Sequence, residues 1–115
     1  MSDRKLGRQD AKRVLYPDIL VKAYANGFFP MPDPESGEIL WYKPQPRAVM
    51  PLAQFHVSKS LRKELKKKTF KVSFNQDFSA VISGCADREE TWINDEIKLA
   101  YTEMHTLGLA HSVEV

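Results

Sequence analysis

Apolar positions in this chain recur first at a helical spacing, then in short strand-like runs, then at a helical spacing again. Ile19, Leu20, Ala23 and Tyr24 share one face of a helix that Pro17 can open and Gly27 can close. The apolar Phe28-Phe29-Pro30-Met31 leads into Pro32-Asp33-Pro34-Glu35-Ser36-Gly37, whose prolines and glycine predict a loop or hairpin turn. Residues 39–42 then read as a strand. Residues 47–52 read as a second short strand, interrupted by Pro51 and so at an edge or a strand end. Ser58 is placed to cap a helix running to about Lys68 with Leu61 and Leu65 inward. Phe70, Val72 and Phe74 alternate with polar residues, as in a half-buried strand. Asn75 can cap the next helix, striped by Phe78, Val81, Ile82 and Cys85. Asn94, followed by Asp95 and Glu96, opens a longer one, with Ile97, Ala100, Tyr101, Met104 and Leu107 on one face and Gly108 at its end. Residues 110–115 begin a last strand. The pattern predicts a mixed α+β chain: a small head over residues 1–48, then β-α-β-α-α-β over 49–115.

Composition adds boundaries. With 115 residues, 43% hydrophobic and 28% charged, the chain has the makings of a folded domain and excludes wholesale disorder. The lone Cys85 excludes an internal disulfide and a multi-cysteine zinc site, and its place on an apolar stripe predicts a buried, inert thiol. No run approaches the roughly 18 apolar residues of a membrane-spanning helix. The basic N-terminus, with Arg4, Lys5, Arg8, Lys12 and Arg13, lacks the apolar run of a secretory signal, so residues 1–15 are expected to be frayed and the protein cytoplasmic.

Charge is unevenly spread. Residues 56–71 hold seven Lys and Arg against Glu64, a net of +6, which leaves −4 for the rest of a chain totalling +2. Within that stretch Lys59, Lys63, Lys66 and Lys67 fall on one side of a helix, with Arg62 beside them. Such a cluster is either a solvated face or a site for a polyanion, whose phosphates would neutralise it with counterion release. Nothing in it reads bases. Trp41, Tyr42 and Trp92 sit at element ends and Tyr24 and Tyr101 on helical stripes; core packing is the ordinary fate of each. Trp92 alone precedes a helix N-terminus, where a nucleobase could stack for roughly 1–3 kcal/mol. His56, His105 and His111 are scattered, His105 is placed to pack, and no nucleophile elbow or phosphate-binding glycine loop occurs.

Three stretches carry a family resemblance. They are Tyr16-Pro17-Asp18-Ile19-Leu20…Ala23-Tyr24-Ala25-Asn26-Gly27-Phe28-Phe29-Pro30-Met31; Leu40-Trp41-Tyr42…Pro44…Pro46-Arg47-Ala48-Val49 with Phe55-His56-Val57-Ser58-Lys59-Ser60-Leu61; and Gly84-Cys85-Ala86…Thr91-Trp92-Ile93-Asn94…Ala100-Tyr101…His105-Thr106-Leu107-Gly108…Ala110-His111-Ser112-Val113-Glu114-Val115. In this order they resemble the first part of leucyl/phenylalanyl-tRNA–protein transferases. The resemblance implies a small N-terminal domain (1–48) followed by the start of a domain of the GNAT acyltransferase type (49–115). It implies transfer of Leu or Phe, occasionally Met, from aminoacyl-tRNA to proteins that begin with Lys or Arg, with no cofactor and no metal. Lys59, Arg62, Lys63, Lys66 and Lys67 would then contact tRNA. Tyr24, Met31, Trp92 and Tyr101 would surround the aminoacyl-adenosine end, Met31 standing where some members have tryptophan. The family's Phe-Gly-Glu-Ser-Met-Phe and Asp-x-Gln segments fall after Val115, so the resemblance places the catalytic groups outside these residues and implies an inactive 115-residue piece. Two other readings are a non-catalytic RNA-binding module and an acyl-CoA N-acetyltransferase of the same broad fold.

Overall fold

The computed structural model describes residues 13–115; the basic residues before Arg13 lie outside the described part. In chain order the elements are α1 (Pro17–Ala25), β1 (Phe29–Pro32), β2 (Ile39–Tyr42), a 3-10 turn (Leu52–Gln54), α2 (Lys59–Lys67), β3 (Ser73–Phe74), α3 (Phe78–Ala86), α4 (Asp95–Thr106) and β4 (Val113–Glu114). The class is α+β.

Local chemistry sets the helix ends. Ser58, Asp77 and Asn94 each accept a hydrogen bond from the backbone N–H three residues on, at 3.1, 3.1 and 2.9 Å. Each satisfies one of the donors that a helix start leaves free. Asp77, not Asn75, caps α3. Asn75 instead takes a left-handed backbone at φ 58°, which asparagine tolerates better than most residues. Its Oδ1 accepts the Ser112 N–H at 3.1 Å.

The core is a seam between helices distant in sequence. Leu15 and Leu20 meet Ile97, Ala100 and Met104, all buried. Arg13 reinforces the seam with an ion pair to Glu103, so the segment entering α1 is anchored where fraying was expected. The β1–β2 hairpin leans on this core. It is antiparallel, with Phe29 opposite Tyr42, Pro30 opposite Trp41 and Met31 opposite Leu40. The apolar run that reads as an entry to a loop is therefore a strand. Its prolines fall on alternate positions, which leaves the Phe29 and Met31 N–H groups for the ladder. The same alternation turns Pro30, Ile39 and Trp41 toward the core and places Phe29, Met31, Leu40 and Tyr42 on the other face.

Between Pro30 and Ile97 no residue is buried. The strand expected over residues 47–52 does not form: Pro46 precedes it, Pro51 interrupts it, Leu52 already belongs to the 3-10 turn, and among the described residues no partner strand lies alongside. Leu61 and Leu65 are exposed (40% and 61%), since among the described residues no element covers their side of α2. The alternating run over 70–74 pairs only at Ser73 and Phe74, opposite Glu114 and Val113. Cys85 is exposed rather than buried, and Leu107 is exposed as well.

One carboxylate joins β4 to the start of α3. Glu114 accepts hydrogen bonds from Ser112 Oγ at 2.5 Å, Ser73 Oγ at 2.9 Å and the N–H groups of Gln76 and Asp77 at 3.2 and 3.3 Å. These donors, Ser112 foremost, lower its pKa from 4.5 to about 2 against the opposing effect of burial. The clamp is therefore complete above pH 4.5 and is lost as pH falls toward 2.

Two measurements check this fold. In urea unfolding, Leu20→Ala should cost about 2–5 kcal/mol, as a fully buried leucine does. Leu65→Ala should stay within about 0.5 kcal/mol. In acid unfolding, Glu114→Gln should lower stability at neutral pH and flatten the loss between pH 4.5 and 2 relative to the parent chain.

Candidate functional site

Two features stand out, and they share no lining residue. The first is α2. All nine of its residues are exposed, and Lys59, Arg62, Lys63 and Lys66 line a shallow groove of about 440 Å³ together with Ser60. These cations recur at i, i+3, i+4 and i+7, so one stripe of helix carries four positive charges while Leu61 and Leu65 lie on the opposite stripe. Lys67 is different: its Nζ donates to Glu64 Oε1 at 3.2 Å, an exposed pair of the kind that adds little stability. Arg62 takes the place in the stripe that the sequence pattern gave to Lys67.

The second feature lies between α1 and α4. Tyr24 and Tyr101 meet edge to face, ring centroids 6.5 Å apart, with their hydroxyl oxygens 2.5 Å apart. They border a pocket of about 290 Å³ completed by Val21, Met104, Leu109 and Ala110. Val21 and Met104 stand one helical turn from the two tyrosines, so helical spacing could have named them. Leu109 and Ala110 arrive because, just past the end of α4, Gly108 takes a φ of +76° and turns the chain back.

Burial, then the hydrogen bond to Tyr24, pushes the Tyr101 phenol up well beyond its ordinary value of 10.0. At neutral pH it is a neutral hydrogen-bonding group and not a base. His105, which the sequence marks for packing, stacks on Phe78 at 4.4 Å and donates from Nδ1 to the Ala110 carbonyl at 2.9 Å. This fixes the segment that forms one wall of the pocket.

The remaining expected site residues sit elsewhere. Met31 lies half-buried on the hairpin face turned from the core, and Trp92 is 46% exposed in the segment leading to α4. Neither lines the tyrosine pocket. Among the described residues no three His, Cys, Asp or Glu side chains gather as metal ligands, and no helix is long and apolar enough to cross a membrane.

The geometry thus defines an α+β chain with a cationic helix and a separate tyrosine-edged apolar pocket. Comparison with known proteins gives it a family. The model described as leucyl/phenylalanyl-tRNA protein transferase matches residues 49–115, and the model of that transferase's N-terminal domain matches residues 13–45. Similar proteins include one from Salinibacter ruber, 48% identical over 87% of this chain and 44% of its own length. Another, from Rubrobacter xylanophilus, is 52% identical over 87% of this chain and 52% of its own. A third, from Jannaschia sp., is 46% identical over 89% and 49%. All three are named leucyl/phenylalanyl-tRNA–protein transferase. The chain belongs to this family, and it spans about half the length of the curated relatives it matches.

The tyrosine pair is open to a spectroscopic check. In an ultraviolet pH titration, Tyr24→Phe should make Tyr101 ionise at a lower pH than in the parent, though still above 10.0, because burial persists when the hydroxyl partner is gone.

Proposed function

We propose that the intact gene product is a cytoplasmic aminoacyltransferase. It moves leucine or phenylalanine, and occasionally methionine, from aminoacyl-tRNA to the N-terminal Lys or Arg of acceptor proteins, marking them for degradation. The observation that carries this reading is the 48% identity over 87% of the chain to a relative whose name states the activity. The gap between the two family matches, residues 46–48, supports a boundary near residue 48 between a small N-terminal domain and a second domain, which we read as the beginning of a GNAT-like one.

The geometry gives each part a task. The stripe of Lys59, Arg62, Lys63 and Lys66, joined at its edge by Lys67, is suited to tRNA phosphates. It would position a backbone without reading sequence. The pocket beside Tyr24 and Tyr101 is apolar enough for a Leu or Phe side chain at the aminoacyl end and offers hydroxyls at its rim. Met31 and Trp92 are assigned to the adenosine from outside that pocket; both present apolar surface on which a base can lie.

The reaction asks little more than placement. An aminoacyl ester is already activated, and an α-amine with an unperturbed pKa of about 7.7–8.0 is partly neutral at pH 7. The amine nitrogen attacks the ester carbonyl carbon, a peptide bond forms, and the tRNA 3′ oxygen leaves with a proton. Holding the two reactants together can supply much of the acceleration, with a base to take the amine proton. Tyr101 is held neutral and cannot be that base. We assign the base and the groups that contact the amine to the part of the family protein that these 115 residues do not include.

The test is transfer of radiolabelled leucine from Leu-tRNA to an Arg-initiated peptide, run on the whole gene product and on residues 1–115. Transfer by the whole product alone is expected. Tight tRNA binding without transfer would favour an RNA-binding module, and transfer by residues 1–115 would contradict the placement of the catalytic groups. Independently, replacing Lys59, Arg62, Lys63 and Lys66 by alanine should flatten the salt dependence of tRNA binding. The change should be about 0.7–0.9 in the log–log slope per lost phosphate contact.

A further inference from the structure

The open end of the β1–β2 hairpin gathers aromatic rings and cations that neither α2 nor the tyrosine pocket uses. Gly27 organises it. Its φ of +84° turns the chain from α1 toward β1, and its carbonyl accepts a hydrogen bond from Arg47 Nη1 at 3.2 Å. Arg47 also lies over the Phe29 ring, 5.8 Å from the centroid. Lys43, just past β2, crosses Gly27 with its Cε 3.6 Å from where a Cβ would stand. Its ammonium reaches over the Phe28 ring at 5.4 Å. Tyr42 faces Phe29 across the ladder, ring centroids 6.0 Å apart and planes 31° apart.

Covering ring surface accounts for one contact of each cation. It does not account for their meeting at one turn, where like charges repel. Both side chains are exposed, and among the described residues neither forms an ion pair. The acids of the hairpin, Asp33, Glu35 and Glu38, stand at its opposite end, in the connecting turn. With one guanidinium face on Phe29 and one N–H on Gly27, Arg47 keeps its other face and further donors for a ligand. Phe29, Tyr42 and Leu40 continue the apolar surface along the face turned from the core.

Flat apolar surface flanked by cations complements unpaired nucleotides. Bases stack on rings and guanidinium planes, and phosphates take the charges. An acidic peptide would use the charges and leave the rings without flat partners, and a duplex would offer phosphates but no open base faces. We propose that this hairpin end binds the unpaired nucleotides that precede the terminal adenosine of the tRNA. Their bases lie on Phe29, Tyr42 and the outer face of Arg47, and their phosphates meet Lys43 and Arg47. The proposal rests on the tRNA reading above and adds to it a site apart from α2 and the tyrosine pocket.

The test compares binding of the whole gene product to a leucine tRNA and to the same tRNA trimmed of its unpaired 3′ nucleotides, across a range of salt. The intact tRNA should bind more tightly. Replacing Lys43 and Arg47 together by glutamine should lower its log–log salt slope by about 0.7 per lost phosphate contact, the single-strand value. Arg47→Lys, which keeps the charge and loses the flat face, should weaken the intact tRNA at unchanged slope. Tyr42→Leu should weaken it roughly 5- to 100-fold, as loss of one stacked base does. Each variant should hold the trimmed tRNA as the parent does, which also shows that it is folded. Equal binding of the two tRNAs by the parent, or an intact-tRNA affinity and slope that the glutamine pair leaves in place, overturns the proposal. Equal weakening of both tRNAs puts these cations on the paired stem and overturns it too. A parent protein that binds neither form contradicts the tRNA reading itself.

Discussion

The packing of α1 against α4 is the constraint on which the rest depends. Leu15 and Leu20 reach Ile97, Ala100 and Met104 across some eighty residues of chain, and these five side chains make up the buried apolar cluster of the described residues. At about 1.5–3 kcal/mol for each large aliphatic side chain buried, the seam is the main source of tertiary stability here. It also creates the site. Tyr24 and Tyr101 stand on the two helices one turn from buried residues, and the pocket between them exists because the helices are pressed together. Arg13 and Glu103 hold the seam from its outer side, and the hairpin covers it through Ile39 and Trp41.

The cationic helix follows a different logic. All of its residues are exposed, and among the described residues its one ion pair is Lys67–Glu64. A folded chain gains nothing from lining up Lys59, Arg62, Lys63 and Lys66; like charges at these spacings repel and slightly weaken the helix. The arrangement becomes favourable when phosphates neutralise it, as in the tRNA contact proposed above. Core and cationic surface are thus separated: one half of the chain is organised by burial, the other by what it presents.

Sequence reading succeeded where the determining physics is local. Ser58 and Asn94 cap the helices they were expected to cap, Gly108 turns the chain after α4, and His105 packs instead of standing free. It failed where the outcome depends on what lies across space. The alternation over residues 70–74 and the Leu61–Leu65 pair look like inward faces, and periodicity cannot say whether anything is there to cover them. Cys85 sits on an apolar stripe and is nonetheless exposed. Asn75 and Asp77 both suit a helix cap, and only the tie between Asn75 and Ser112 decides between them. The tyrosine pair and its pocket were half legible. Both tyrosines could be singled out, but their hydrogen bond spans 77 positions, and Leu109 and Ala110 enter through a turn.

The central claim is that the cationic stripe and the tyrosine pocket serve one ligand, a tRNA carrying its amino acid. Cross-linking tests it most directly. A leucyl-tRNA bearing one photoreactive group in its acceptor-stem backbone and another on the aminoacyl side chain is bound to the whole gene product, and the adducts are mapped by mass spectrometry. The backbone label should be found on residues 59–67 and the side-chain label on the peptides bearing Tyr24 or Tyr101. Backbone adducts elsewhere, or side-chain adducts that avoid both helices of the seam, would contradict it.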